Sequence, residues 1–313
     1  MDTFDKKNIS PMLISETQEA FNSTDYIYEI KWDGIRCVSF LNDKCTDIRN
    51  KRNKIMLPLF PELTELYKQA KVKCILDHEL VVLKNGVPDF YEVQSRTLKT
   101  NPFKIQLAAS KYPASIIAFD ILYYKDKDIT SLPLIERKKY LTDATVENNI
   151  LAVSRYVEGN GIELFAAVKA KELEGIVAKK KSSLYWQGKK TKDWIKCKVM
   201  STEDCVVCGY IHKANNMTSL ILGQYDNGNL IYKGHATIGV SLRVMNQYKY
   251  KVVDSSPFGY IPKGNNEAIW MEPNLVCIVE SMPTKKDSYR QPVFKGFRDD
   301  KLAVDCVISN DRS

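Results

Sequence analysis

The segment Lys31-Trp32-Asp33-Gly34-Ile35-Arg36 constrains the fold of this chain more than any other. The residues at 26–30 and 37–40, on either side of it, are aromatic, β-branched or apolar, which is typical of strands. Asp-Gly favours a two-residue hairpin turn, so we predict two paired strands with Lys31 opposite Arg36. Like charges that face each other destabilise a strand pair by up to about 1 kcal/mol. An anion between them would reverse this effect, and the segment therefore predicts an anion-binding site.

Two apolar runs, at 75–83 and 116–124, each contain a carboxylate, namely Glu79 and Asp120. A strand buried on both faces should lack such groups, because an unpaired buried charge costs several kcal/mol. We expect a strand end that opens into a cleft, with Glu79 the stronger candidate for function. The structural alternative is an ion pair with a lysine.

The segment at 194–198 places three residues on one strand face, because alternate residues of a strand share a face. These residues are Trp194, Lys196 and Lys198, and the residues between them would face the core. Two ammonium groups about 7 Å apart suit a polyphosphate. The alternative is a solvated strand edge, where lysines protect against aggregation.

Six segments, in order, resemble the motifs of the covalent nucleotidyltransferases, a superfamily of ATP-dependent DNA ligases, RNA ligases and mRNA-capping guanylyltransferases. The segment at 31–36 resembles K-x-D-G-x-R, whose lysine carries the nucleotide. The other five resemble L-D-G-E-L-V, F-D-I/L-L, E-G-I/V-V/M-x-K, W-x-K-x-K and the R-x-D-K of DNA ligases. They lie at 76–81, 118–122, 174–179, 194–198 and 294–301. The resemblance covers nearly the whole chain and points to an ATP-dependent DNA ligase of the minimal bacterial repair or end-joining type.

The resemblance implies a reaction and a set of residues. Lys31 would take AMP from ATP and pass it to a 5′-phosphate at a nick in duplex DNA, which a 3′-hydroxyl then seals. It implies that the catalytic residues are Lys31, Arg36, Arg298 and Lys301. It implies that the nucleotide is held by Glu29, Ile30, Lys31, Arg36, one of Arg49 and Arg52, Glu79, Phe119, Glu174, Lys196 and Lys198. Glu174 and Glu79, or else Asp120, would hold Mg²⁺ or Mn²⁺.

The sequence departs from the family pattern at two places. His78 stands where the family has glycine, which would narrow the space near the ribose. The stretch at 49–60 is longer than usual, so the resemblance does not choose between Arg49 and Arg52. Thirty residues precede Lys31, which leaves no room for the helical DNA-binding domain of larger relatives. Encirclement of DNA would then be incomplete or need a repair or end-joining partner.

Three alternative functions remain open at this point. A capping guanylyltransferase shares the Lys31 motif, although the ending at 294–301 resembles a ligase. An RNA ligase shares the same chemistry. A non-catalytic nucleic-acid clamp could use the same domains, but Lys31, Glu79 and Glu174 are all intact.

Length and pattern predict an α+β chain with two domains. Residues 1–200 would form a mixed-sheet domain and residues 201–313 an all-β OB-fold barrel. The resemblance implies that the first is the nucleotidyltransferase (adenylation) domain and that the second is the same barrel. We predict helices at 61–71, 134–147, 161–172 and 241–251, and a hairpin turn at 226–229 between strands of the second domain. In a chain of 313 residues with 44% hydrophobic content, two cores are expected.

Charge and cysteine usage agree with an intracellular enzyme that handles an acidic polymer. The first 200 residues hold 33 basic and 26 acidic residues, so they carry most of the net charge of +8. The segment at 179–198 has eight lysines and one acid and predicts contact with the duplex backbone. Cys205 and Cys208 lack a second pair for zinc and are predicted to be buried thiols. With neither a signal peptide nor an apolar run of membrane length, we expect a soluble, cytoplasmic monomer.

Overall fold

The computed structural model describes residues 2–15, 19–214, 217–238, 245–282, 284 and 286–308. The chain divides into two compact units, Met1–Val199 and Met200–Ser313. Among the helices of the described residues, none has both the length and the apolar character needed to cross a membrane.

The first unit contains twelve described strands and five described helices. The strands are β1 (Leu13–Ser15), β2 (Ser23–Ile30), β3 (Ile35–Leu41), β4 (Thr46–Asn50), β5 (Cys74–Lys84), β6 (Val87–Pro88), β7 (Ala114–Tyr124), β8 (Lys127–Asp128), β9 (Leu151–Val153), β10 (Tyr156–Gly159), β11 (Gly175–Lys180) and β12 (Lys190–Lys198). The helices are α1 (Thr3–Lys6), α2 (Phe90–Thr97), α3 (Pro102–Lys111), α4 (Leu134–Ala144) and α5 (Gly161–Ala170).

Two sheets of the first unit pack face to face. One has the order β1-β12-β11-β2-β10, and the other has the order β4-β3-β5-β7-β8, with β6 paired to β5 and β9 to β7. Ile27, Phe40 and Trp194, which come from strands of both sheets, lie in one buried cluster. The burial of these large side chains holds the sheets together and leaves a crevice where the cluster gives way to polar residues.

The outer face of each sheet is covered as well. Leu141 of α4 packs with Leu76 and Leu80 of β5 in the largest core. Val168 of α5 packs with Ile176 of β11 on the outer face of the other sheet. Both sheets are therefore buried on both faces over much of their length, which explains the apolar runs seen in the sequence.

The predicted hairpin at 31–36 is wrong, although both of its strands are present. β2 pairs with β10 and β11, whereas β3 pairs with β4 and β5, so residues 31–34 connect the two sheets. Lys31 therefore does not lie opposite Arg36. A Cβ atom on Gly34 would lie 2.2 Å from the carbonyl oxygen of Leu80. This glycine thus serves a close approach to β5 and not a turn.

The helix predicted at 61–71 is also wrong, because this segment forms the 3₁₀ turns Pro61–Leu63 and Leu66–Gln69. The backbone N–H of Tyr67 donates to the hydroxyl of Thr46 at 2.9 Å and is diverted from a helical ladder. The helices predicted at 134–147 and 161–172 correspond to α4 and α5, which end three and two residues earlier.

The short helix α1 and the longer helices α2 and α3 were missing from the prediction. The N-terminal signals of α2 and α3 are present in the sequence, because Asp89 caps α2 at the N–H of Glu92 and Asn101 caps α3 at the N–H of Lys104. Pro102 at the first position of α3 strengthens that signal.

The second unit is built from antiparallel strands. They are β13 (Ser201–His212), β14 (Thr218–Asp226), β15 (Asn229–Ile238), β16 (Val252–Val253), β17 (Ile269–Met282) and β18 (Arg290–Arg298). Their order is β15-β14-β13-β17-β16, with β18 paired to β17. The predicted hairpin turn at 226–229 joins β14 to β15, and Asn227 and Gly228 have positive φ angles of 48° and 81°.

Two further predictions concern the second unit. The helix at 241–251 begins outside the described residues, which resume at Met245, and the described part contains only the 3₁₀ turn Met245–Gln247. Cys205 and Cys208 are buried free thiols, as predicted.

We predict that Gly34→Ala destabilises the first unit by about 1–3 kcal/mol, because the new methyl group would meet a backbone carbonyl that cannot move aside as a side chain would. Urea unfolding followed by fluorescence measures this change. Gly296→Ala is the matched control, since a Cβ atom there would have no neighbour within 4 Å. Equal unfolding midpoints for Gly34→Ala and the natural chain would contradict the close approach.

Candidate active site

The crevice between the two sheets of the first unit contains a pocket. Its walls come from β1, β2, β3, β5, β7, β11 and β12 and from the connection between the sheets. The lining residues are Ile14, Glu29, Ile30, Lys31, Trp32, Arg36, Glu79, Phe119, Val177, Lys179 and Trp194. Six of these, Glu29, Ile30, Lys31, Arg36, Glu79 and Phe119, are site residues implied by the resemblance.

Lys31 is anchored at both its backbone and its side chain. Its N–H donates to the carbonyl of Gly175 at 2.8 Å, where β11 begins. Its Nζ lies 2.8 Å from Oε1 of Glu174, and Nζ of Lys198 lies 3.5 Å from the same oxygen. The carboxylate of Glu174 therefore holds together two amines, Lys31 from the motif at 31–36 and Lys198 from the motif at 194–198.

Lys196 and Lys198 lie on one face of β12, as the alternation predicted. Burial lowers the pKa of Lys198, and the charges of Lys31 and Lys196 lower it further, against the opposing charge of Glu174. Trp194 on the same face is fully buried and packs in the core between the sheets. The strand thus passes from this core into a cationic region beside Lys31.

Glu79 faces the same space from β5. Burial raises its pKa to about 8, and the charge of Glu174 also raises it, although Lys31 and Arg36 act in the opposite direction. The carboxyl group is therefore largely protonated at neutral pH when no cation is bound beside it.

Arg36 is held by a carboxylate that the sequence had not singled out. Its Nε and Nη2 donate to the two oxygens of Asp77 at 3.0 and 2.6 Å, and its Nη1 donates to the carbonyl of Met12. Tyr185 donates to Asp77 at 2.6 Å. Burial alone would lower the pKa of Arg36, but Asp77 raises it above the usual value, so the group stays charged and fixed. The guanidinium lies 5.3 Å from the ring centre of Phe119.

Glu29 is buried between two lysines. Its Oε1 lies 2.6 Å from Nζ of Lys138, and its Oε2 accepts from Nζ of Lys179 at 3.1 Å. Burial lowers the pKa of Lys179 to about 8, Lys138 lowers it further, and Glu29 opposes both effects. Lys179 also lies 4.3 Å from the ring centre of Phe119. The carboxylate of Glu29 is thus fixed between two lysines at the wall of the pocket.

The remaining predicted residues lie elsewhere. Asp120 forms a fully buried ion pair with Arg137 at 2.8 Å, which is the structural alternative, with an arginine in place of the expected lysine. Arg49 lies in β4 and is bound to Asp47, whereas Arg52 is exposed in the turn that follows. Arg298 and Lys301 belong to the second unit, where both bind Asp204, at 2.9 and 2.7 Å.

Four functional candidates were missed from the sequence, namely Asp77, Lys138, Lys179 and Tyr185. Two of them, Asp77 and Lys179, lie inside the segments 76–81 and 174–179, where the resemblance assigns a role only to Glu79 and Glu174. Lys138 and Tyr185 contact the site from segments remote in sequence, so no local pattern indicates them.

Two family models match the chain. The model of the ATP dependent DNA ligase domain matches residues 10–198, and that of the ATP dependent DNA ligase C terminal region matches residues 213–301.

Two curated relatives are similar over nearly the whole chain. The SPbeta prophage-derived DNA ligase-like protein LigB of Bacillus subtilis is 28% identical, covering 93% of this chain and 99% of that protein. The multifunctional non-homologous end joining protein LigD of Mycolicibacterium smegmatis is also 28% identical, covering 96% of this chain. The chain spans 40% of the length of that LigD protein.

A solved structure, the mycobacterial DNA ligase D complexed with ATP and MES, is 25% identical with a TM-score of 0.57. The match covers 99% of this chain and 100% of that one. The prediction of an adenylation domain followed by an OB-fold domain is confirmed, and the matches favour a DNA ligase over the RNA ligase, guanylyltransferase and clamp alternatives. The chain therefore belongs to the family of ATP-dependent DNA ligases and is an enzyme.

Proposed function

We propose that Lys31 is the nucleophile with which this ligase seals nicks in duplex DNA, using ATP as the source of AMP. The observation that carries the proposal is the amine of Lys31 in the wall of a pocket, 2.8 Å from Glu174 and beside the phosphate-binding candidates Lys196 and Lys198. A nucleophile next to a proton acceptor and a cationic surface suits attack on a phosphoanhydride.

The reaction has three steps. In the first, Nζ of Lys31 bonds to the α-phosphorus of ATP, the bond to the bridging oxygen breaks, and pyrophosphate leaves. In the second, an oxygen of a DNA 5′-phosphate bonds to the same phosphorus and the phosphorus–nitrogen bond breaks. In the third, the neighbouring 3′-hydroxyl bonds to the 5′-phosphorus and AMP leaves, so the strand is closed.

The amine of Lys31 must be neutral when it attacks. Glu174 lies at hydrogen-bond distance and is the group that receives the proton. Lys198 and Lys196 disfavour positive charge close by. The charge of Arg36 is balanced by its partner Asp77.

A divalent cation fits beside Glu79 and Glu174. Among the described residues, no group of three or more histidine, cysteine, aspartate or glutamate side chains could hold a metal by itself. Magnesium is commonly held by one or two carboxylates together with substrate phosphates and water, so two carboxylates suffice. Bound there, the ion would neutralise charge on the phosphates of ATP. Such an ion would displace the proton from Glu79, whose pKa is about 8.

The base of ATP fits the wall that carries Glu29 and Phe119. The carboxylate of Glu29 is held by Lys138 and Lys179 and suits a hydrogen bond donated by the amino group of adenine. The ring of Phe119 offers an apolar face. Guanine has a carbonyl oxygen at the corresponding position, and a carboxylate would repel it.

Other assignments remain proposals from the family resemblance. We assign Arg36 and one of Arg49 and Arg52 to the ribose or phosphates, and Arg298 and Lys301 to the pyrophosphate. The name of the LigD relatives places them in end joining. For this chain we propose nicked duplex DNA as the substrate, repair as the process and a recruiting repair protein as a partner.

We predict that Lys31→Ala abolishes both AMP attachment and nick sealing, because Lys198, which also lies beside Glu174, is at a different position on β12 and is proposed to bind phosphate. Intact mass after exposure to ATP and Mg²⁺, or to GTP and Mg²⁺, measures the first step. Sealing of a nicked duplex, with DNA or RNA on the 3′ side of the nick, measures the last. Lys169→Ala, an exposed lysine of α5, is the control and should retain both activities. A GMP adduct without an AMP adduct, or sealing by Lys31→Ala, would contradict the proposal.

We predict opposite shifts of the pKa of Lys179 in two variants. Lys138→Met should raise it from about 8, because a repelling charge is removed, and Glu29→Gln should lower it, because an attracting charge is removed. Titration of the ¹³Cε signal of Lys179 by NMR measures both shifts. Shifts of the same sign in the two variants would show that Lys179 is not held as described.

The same Glu29→Gln substitution should increase the KM for ATP more than the KM for GTP, because the carboxylate proposed to bind the amino group of adenine is lost.

A further inference from the structure

A second cavity of about 210 Å³ lies on the first unit, between α4 and the strands β9 and β10. It is separate from the pocket that contains Lys31, because the two share no lining residue among those described. Its lining residues are Lys138, Lys139, Thr142, Val153, Ser154, Arg155 and Tyr156.

The polar groups of this cavity are almost all hydrogen-bond donors or cations. Three of the lining residues are basic, and three others, Thr142, Ser154 and Tyr156, carry hydroxyl groups. Such a set suits an acceptor with several oxygens and negative charge, which is the chemistry of a phosphate group.

Ser154 provides an independent sign that a ligand belongs here. The residue is 3% exposed, and its Oγ is buried without a hydrogen-bond partner among the described residues. A buried hydroxyl that makes no hydrogen bond is destabilising, because nothing compensates for the loss of its hydration. A ligand oxygen in the cavity would satisfy it.

The charges of the cavity are only partly compensated. Nη2 of Arg155 donates to Glu147 at 2.8 Å, and Nζ of Lys138 lies 2.6 Å from Glu29. Lys139 is exposed in the middle of α4 and adds a cation at the rim. Glu147 and Glu29 are the carboxylates paired with these cations, and Glu29 also pairs with Lys179. Positive charge around the cavity therefore exceeds negative charge.

We propose that this cavity is a second phosphate-binding site, distinct from the nucleotide pocket. Ser154 and Lys139 donate to the phosphate oxygens, and Arg155 closes over them from the rim. The ring of Tyr156, which is 37% exposed, offers a face to the sugar or base attached to the phosphate. Lys138 forms the floor of this cavity and also contacts Glu29, which lines the nucleotide pocket. The cavity therefore lies directly behind the wall proposed for adenine.

A phosphate group could reach the site from two sources. One is a phosphodiester of the DNA backbone, and the other is free phosphate or a phosphomonoester. Binding of the DNA backbone at this site depends on the proposed function of the chain as a DNA ligase. Binding of inorganic phosphate does not depend on it.

The experiment uses the full chain and two variants that test the donors separately. Ser154→Ala removes a hydroxyl without a partner and should leave the fold at least as stable. Lys139→Gln removes an exposed charge, and Lys169→Gln on α5 is the charge-matched control. Backbone amide NMR shifts of residues 153–156 follow a titration with inorganic phosphate. Anisotropy of a nicked duplex at increasing salt follows DNA binding. AMP attachment at Lys31 is measured on each variant to verify the nucleotide pocket separately.

We expect saturable shifts at residues 153–156, with affinity for phosphate reduced about tenfold in Ser154→Ala and in Lys139→Gln but unchanged in Lys169→Gln. If the source is the DNA backbone, the salt slope of DNA binding falls by about 1 in Lys139→Gln relative to Lys169→Gln. An unchanged slope with phosphate binding intact assigns the site to free phosphate. The absence of shifts together with an unchanged slope overturns the proposal, whether or not AMP attachment occurs.

Discussion

The passage of the chain from one sheet to the other between Ile30 and Ile35 is the constraint on which the site depends. The N–H of Lys31 continues the hydrogen bonding of its own sheet to Gly175, while Gly34 already lies against the carbonyl of Leu80 in the other. Only a few residues separate these two anchors. The side chain of Lys31 therefore emerges where the two sheets part, and its position does not rely on the stability of a free loop.

Charge in the crevice is arranged in compensated groups and not as a ring of free cations. Glu174 joins Lys31 to Lys198, Asp77 holds Arg36, and Glu29 lies between two buried lysines. Each carboxylate lowers the cost of burying its cations and fixes their direction. For the proposed chemistry, phosphates entering the crevice compete with Glu174 for the amine of Lys198, and Glu174 remains beside Lys31 as the proposed acceptor of its proton.

The sequence predicted β2, β3, β5, β7 and β12, which all contribute to the crevice, and the hairpin of β14 and β15, because apolar runs and turn residues are local signals. It failed where a partner from elsewhere decides the outcome. Asp33-Gly34 favours a hairpin when taken alone, but the pairing of β3 with β5 is a long-range choice that local turn chemistry does not encode. In the same way, the hydroxyl of Thr46 prevents the helix predicted over Tyr67. Of the site, the motif residues were found because spacing reveals them, whereas Lys138 and Tyr185 reach it only through the fold.

The departure from the family pattern at His78 shows how much one position along a strand matters. Along β5, Asp77 and Glu79 face the crevice, and Leu76 and Leu80 face the core on the other side of the sheet. His78 lies between them in this alternation, so its ring points away from the crevice and contacts the hydroxyl of Ser39 at 2.7 Å. Burial lowers its pKa to about 3, and the ring is therefore neutral. The expectation that His78 narrows the space beside Glu79 is wrong, because Ser39 accommodates the larger side chain on the opposite face.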